Sequence, residues 1–266
     1  MRGLREETFM TPIPDSGQST EEGSERSVRP APSVRADIKT VAYWLSLGAA
    51  AGGLGGLLVG GIGGRIAMFI LRLTSDDSVR GIESDDGFTI GRFDLPSTLS
   101  LLAVTTVLGA IVGLIVVFGR PFFPKRGMPL AWAGAGAITG GAILINSDGV
   151  DFTLLEPHLL AIVFFVAIPA IGAGLIAWLT EVYPKFWWRK RGPTLVACIA
   201  AVPIVIFFPI AIFAIFVGGI WFLAMQWPRA RNFPAWRPAR VAAIAAFAFI
   251  VALGLLDLTS DVRTIL

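Results

Sequence analysis

The stretch Gly48-Ala49-Ala50-Ala51-Gly52-Gly53-Leu54-Gly55-Gly56-Leu57-Leu58-Val59-Gly60-Gly61-Ile62-Gly63-Gly64 lies inside one apolar run over residues 41–73. Gly48, Gly52, Gly56, Gly60 and Gly64 recur at strict four-residue spacing. On a helix rising about 1.5 Å per residue they cover roughly 24 Å, most of a hydrocarbon core about 30 Å thick. Small residues four apart form a groove where a second backbone can approach closely, a glycine zipper. In water each glycine would cost the helix close to 1 kcal/mol relative to alanine. In lipid the alternative is unsatisfied backbone, so the helix forms.

Composition points the same way. Apolar residues make up 55% of the 266-residue chain and charged residues 15%, against about 25% charged in a soluble domain. The charges sit in short segments between apolar runs, as in a polytopic helical protein. A β-barrel would need roughly ten-residue alternating segments, and none recur. The expected fold is therefore all-α, a polytopic transmembrane helical bundle. A single cysteine, Cys198, excludes an intrachain disulfide, and a single histidine, His158, excludes a multi-histidine metal site. No metal, cofactor or nucleic acid is expected. Residues 1–37 have no apolar core of the secretory type and little to bury, so they read as a disordered tail before a membrane domain over 38–266.

Apolar runs predict spans near 41–72, 97–119, 128–146, 158–180 and 240–258. The stretch 193–227 has 35 residues; as one helix it would reach about 52 Å, more than tilt normally absorbs. The intervening segments alternate in sign. Asp76, Asp77, Glu83, Asp85, Asp86 and Asp94 mark the first, and Arg120, Lys125 and Arg126 the second. Asp148, Asp151 and Glu156 follow, then Lys185, Arg189, Lys190 and Arg191. Basic segments stay cytoplasmic, which puts the tail inside and both acidic loops outside, in a multi-pass protein of the cytoplasmic (inner) membrane. A last basic segment holds Arg229, Arg231, Arg237 and Arg240. It also belongs inside, so 193–227 must cross twice, over 193–209 and 210–227, broken near Pro203 and Pro209. The choice between six and seven spans therefore favours seven, with the C-terminus outside. Trp187, Trp188, Trp227 and Trp236 flank the basic segments as an interfacial belt, where anionic lipids of the cytoplasmic face would also bind.

The two acidic loops resemble each other: Ser84-Asp85-Asp86-Gly87-Phe88-Thr89-Ile90 and Ser147-Asp148-Gly149-Val150-Asp151-Phe152-Thr153-Leu154. Each follows a helix rich in small residues, the second carrying Gly136 and Gly140. A parallel duplication of spans 1–2 and 3–4 accounts for the likeness; shared Asp-Gly turn chemistry is the competing account. Alternation in 88–94 predicts a short strand over the outer mouth.

Arg65, directly after Gly64, should face protein, water or headgroups, because a buried arginine is expensive. Asp76, Asp77, Asp148 and Asp151 are its candidate partners, and snorkelling to the outer headgroups is the alternative. Asp85 and Asp86 could contribute to a weak cation site, although their spacing matches no calcium loop. A solvated acidic face explains them as well. His158 opens the fourth span, where a capping or interfacial role competes with titration. No zinc, hydrolase-elbow or phosphate-loop signature is present, and no catalytic residue is assigned.

With Arg80-Gly81-Ile82-Glu83 preceding the first loop and Leu155-Glu156-Pro157 closing the second, the region 41–180 resembles a group of multi-pass membrane proteins of high-GC bacteria. The resemblance implies a helical bundle in the cytoplasmic membrane and no activity. Two functional expectations stand. The first is a non-catalytic packing, assembly or binding protein, with the glycine stripe seating a second copy or another membrane protein and the acidic loops serving recognition. The second is a small-solute or ion transporter or channel built on the repeat. The groove may equally be filled by the chain's own helices, which is its commoner use.

Overall fold

Apolar runs with internal backbone hydrogen bonding are the open-ended solution for a chain in hydrocarbon, and every described element is helical. The computed structural model describes residues 34–75, 95–123, 127–147, 149, 157–187, 212, 215, 216, 218–220, 222, 223 and 237–266. The first helix is continuous but changes register: α1 (Val34–Gly55), a π-helical segment π1 (Gly56–Gly63), then α2 (Gly64–Thr74). α3 follows at Leu95–Gly119. The third helix repeats the change of register, with α4 (Met128–Ala135), π2 (Gly136–Gly140) and α5 (Gly141–Leu144). α6 (His158–Trp187) and α7 (Arg237–Ile265) complete the described elements.

Helix ends follow local chemistry. Ser75 is extended, and its backbone N–H and side-chain hydroxyl both donate to Leu71 O, at 3.0 and 2.8 Å. These bonds satisfy a carbonyl that the helix would otherwise leave unpaired. Gly127 turns the chain into α4 at φ 80, a left-handed conformation that a side chain would strain. Pro129 then occupies the first turn, where its missing N–H costs nothing.

α1 and α3 pack through backbone. A Cβ added to Gly48 would lie 2.8 Å from Gly113 O, and one on Gly113 would lie 2.8 Å from Gly52 Cα. One on Gly109 would meet Gly56 Cα at 2.6 Å. Cβ atoms on Gly52 and Gly56 would run into the carbonyls of Gly109 and Thr105. The α4–π2 helix packs on α6 with related means: Gly136 faces Pro169 O and Ala173, and Gly140 faces the Pro169 ring. α6 touches every other helix of this set except α7 substantially, and α7 packs on π2 and α5.

The core forms separate clusters. Ala49, Ala110 and Leu114 make one, and Val116, Met128, Trp132, Ile176 and Ala177 another, backed by Phe123 and Phe247. Leu71, Ile145, Ala161 and Ile162 form a third at the opposite end, backed by Leu258, Val262 and Ile265. α7 therefore starts at the Arg120 end of the bundle and finishes at the His158 end.

Among the described residues four helices are long and apolar enough to cross a membrane: Thr40–Thr74, Leu95–Gly119, His158–Val182 and Arg237–Ile265. Their outward faces are apolar. Leu58, Ile62, Ile66, Phe69 and Leu73 form one exposed stripe, and Leu159, Val163, Ile171 and Trp178 lie exposed along α6. Such area would be an aggregation hazard in water and is the ordinary surface of a helix in lipid. Buried hydroxyls are satisfied locally, as in fully buried Thr180, whose Oγ1 donates to Ala177 O at 2.8 Å.

We expect Gly56→Leu to abolish recovery of folded protein, because the clash is with backbone. Gly64→Ala should leave the thermal midpoint unchanged or raised, since nothing lies within 4 Å of its Cβ position. Gel filtration and thermal unfolding of the detergent-purified variants check both. Even the single methyl of Gly109→Ala should cost about 1–3 kcal/mol through overpacking.

Candidate functional site

The residues singled out in the sequence divide among three places. Gly48, Gly52 and Gly56 face α3 and are filled by its backbone. Gly60 meets the Thr105 side chain, its Cβ position 3.0 Å from Thr105 Cβ, while Gly64 has open space. The four-residue stripe therefore serves an internal contact at its Arg120 end and loses its partner toward the His158 end.

Arg65 and Arg72 lie seven residues apart on α2, within about 20° of one line along the helix. They share that line with Gly61, whose Cβ position lies 2.6 Å from Leu102 Cδ2 and 3.0 Å from Thr105 Oγ1 of α3. The Nε and Nη2 atoms of Arg65 and the Nε atom of Arg72 are buried. Both residues are only part-exposed, so their guanidinium groups turn into protein rather than along the lipid-facing stripe. Beyond π1, α2 makes at most marginal contact with α3, and the arginines continue the line on which Gly61 meets α3. Arg72 was not singled out in the sequence. Its seven-residue spacing from Arg65 on a helix was the available signal.

His158 is the first residue of α6 and is half-buried, with Pro157 O accepting from the Leu160 N–H at 2.9 Å. Gly149 N–H donates to Asn146 O at 3.0 Å in the turn after Ile145. Asp85, Asp86, Asp148 and Asp151 lie outside the described residues, as do residues 1–33 of the expected 1–37 tail, whose last four residues belong to α1, the expected strand over 88–94, the prolines of 193–209 and the side chains of the tryptophan belt. Among the described residues no three His, Cys, Asp or Glu side chains gather as a metal site.

Both acidic connections nonetheless leave the bundle from one end. Leu71, near the close of α2, Ile145 after α5, and Ala161 and Ile162 at the start of α6 share one buried cluster. Asp257 and Asp261 of α7 flank Leu258 and Val262 of the same cluster. The opposite end is basic and aromatic. Arg120 Cζ lies 4.7 Å over the Trp44 ring, and Tyr43 meets Trp44 edge-on at 5.4 Å. Phe123, Trp132 and Phe247 form a three-ring cluster with centroids 4.9 to 6.0 Å apart, in the favourable T-shaped arrangement.

These features define the class: an all-helical protein whose long apolar helices are compatible with a membrane protein. No family model, curated protein or solved structure matches the chain.

The Arg120–Trp44 contact ties the end of α3 to α1. Trp44→Leu and Arg120→Gln are each expected to cost about 0.5–1 kcal/mol, the range of a part-exposed cation–π contact. The double variant should cost no more than the worse single one, which thermal unfolding of the full cycle measures.

Proposed function

We propose that this chain is a seven-span protein of the cytoplasmic membrane that acts without catalysis, by binding at its acidic outer end. The observation that carries this reading is that the helix ends leading into both acidic connections meet, with Asp257 and Asp261 beside them, at the Leu71–Ile145–Ala161 cluster. The basic end supports the orientation, since Arg120, Arg237 and Arg240 belong with the cytoplasmic leaflet under the positive-inside rule. The amino-terminal tail is then cytoplasmic.

Span parity follows from α6 and α7. α6 runs toward the Arg120 end, through Ile176 and Ala177, and α7 departs from that same end, past Phe247. An even number of crossings between them supports the seven-span reading over the six-span one. Gly218 supports a crossing that lies against α1, because its Cβ position is 2.6 Å from Leu45 Cδ1. The glycine zipper in this reading is an internal clamp: Gly48, Gly52 and Gly56 hold α3, and any homo-oligomer or membrane-protein partner must use another face. A partner held by the acidic end would carry complementary positive charge, and anionic lipids would gather at the opposite, basic end.

The transport reading has one specific observation in its favour. Both helices that lead into an acidic connection contain a π-helical segment and pack by glycine onto the returning helix, as a parallel duplication would produce.

Native mass spectrometry of gently extracted protein tests the binding reading. A specific complex lost when Asp85, Asp86, Asp148 and Asp151 are all changed to Asn is the expected result. A bare monomer, or a complex indifferent to those changes, would reject it. Topology is tested separately by impermeant-thiol labelling of cysteines placed at residues 2 and 266 in a Cys198→Ala background. Seven spans require opposite sides, and labelling from the same side removes the seven-span reading.

A further inference from the structure

Helix-softening features occur at one level in every described long helix. In the first helix this is π1, at whose end the Gly64 N–H is shared among Val59 O, Gly60 O and Gly61 O, so that the wider π-type ring competes with the α-type one. Beside it, α3 carries Thr105, whose hydroxyl donates back to Leu101 O at 2.8 Å, a bond that tends to bend helices. Gly60 lies against that threonine. The third helix has π2, with Thr139 donating to Ala135 O at 2.7 Å. α6 has Pro169, which removes one donor from the helical ladder. Its ring and carbonyl touch Gly140 and Gly136, and Gly172, three residues on, lies 3.8 Å by its Cβ position from Val59 of π1. α7 has Gly254, facing Ile138 and Thr139 of π2 at 3.5 Å. Threonine back-bonds also occur outside this level, at Thr180 and Thr259, but contacts join the π-helical segments, Pro169 and Gly254 from π1 through α6 to π2 and α7 into one belt.

The packing on either side of the belt is discontinuous. Ala49, Ala110, Leu114, Val116, Met128, Trp132, Ile176 and Ala177 are buried on the Arg120 side. Leu71, Ile145, Ala161 and Ile162, with Leu258 and Val262, are buried on the His158 side. Each helix that contributes to the second group passes through the belt to reach it. α3 contributes nothing to that group, and α2 has only marginal contact with α3 beyond π1.

We propose that the belt is a hinge. α2, α5 and the His158-end halves of α6 and α7, joined through the Leu71 cluster, tilt as one body against the Arg120-end half. The Arg120-end half is held by the Gly48–Gly52–Gly56 contact with Gly109 and Gly113. The moving body varies the separation of α2 from α3, on the side of α2 that carries Arg65 and Arg72. Rigid-body motion about a few softened positions is the ordinary form of such a change, on a microsecond-to-millisecond scale. The inference holds for a binding or a transport role alike, and rests only on the chain lying in a membrane.

Spin-label distance measurements on Cys198→Ala protein in lipid nanodiscs test it. One pair of labels goes at exposed Leu73 and Leu99, on the His158 side, and a second at exposed Phe118 and Leu130, on the Arg120 side. The first pair should give a distance distribution about twice as wide as the second, or two resolved distances. Pro169→Ala restores the missing donor, and Gly254→Ala fits without displacing a neighbour. Either should narrow the first distribution and leave the second unchanged. Equal, narrow distributions for the two pairs in the unsubstituted belt would overturn the hinge, whatever the variants do. So would a wide first distribution that neither variant changes.

Discussion

The approach of α1 to α3 without intervening side chains is the constraint on which the rest depends. In hydrocarbon two helices gain nothing from hiding apolar surface from each other, because lipid tails are as apolar as leucine. What remains is dispersion between closely packed atoms, individually about 0.1–0.2 kcal/mol and falling steeply with separation. Glycine at 48, 52 and 56 against glycine at 109 and 113 brings backbone to backbone. That contact brings the Arg120 end of α3 beside α1, where Arg120 reaches the Trp44 ring.

The same economy explains α6. It is the helix that the others share, and where it meets the third helix it offers Pro169, Ala173 and Gly174 to Gly136, Gly140 and Ala133. Small residues and a proline ring replace branched side chains, so the third helix also packs closely. Larger apolar residues, Leu58, Phe69, Val163 and Trp178 among them, are left to the outside. At these closest contacts small residues lie between the helices, while bulky ones fill the separate clusters and the outward faces.

Charge is distributed along the bundle axis, not around it. Arg120, Arg237 and Arg240 stand at one end. Asp257 and Asp261 stand at the other, beside the helix ends that lead into the acidic connections. Arg65, Arg72 and Arg263 are cations set toward the acidic end, the first two with guanidinium nitrogens buried. A buried guanidinium is tolerated in a membrane protein where it faces the bundle interior, and their position on the α3 side of α2 satisfies that requirement.

Much of the fold was legible because the membrane simplifies the problem. Runs such as 97–119 and 158–180 can only be helices there, and glycine at four-residue spacing marks a close contact on one face. The partner of that face was not legible. Gly109 and Gly113 supply it, yet a pair of glycines in α3 looks the same whether it meets α1 or another protein. The π-helical segments were also invisible, since glycine-rich sequence fits either hydrogen-bonding register and tertiary packing chooses. Arg65 could be flagged by its cost in hydrocarbon, whereas Arg72, near a helix end, drew no attention until the structure showed its buried Nε. By itself the sequence determined helices and the division into acidic and basic ends, because hydrophobicity and charge are local properties. Tertiary structure decided which glycines meet and where helices change register. Those are relations between segments far apart in the chain, which no local property fixes.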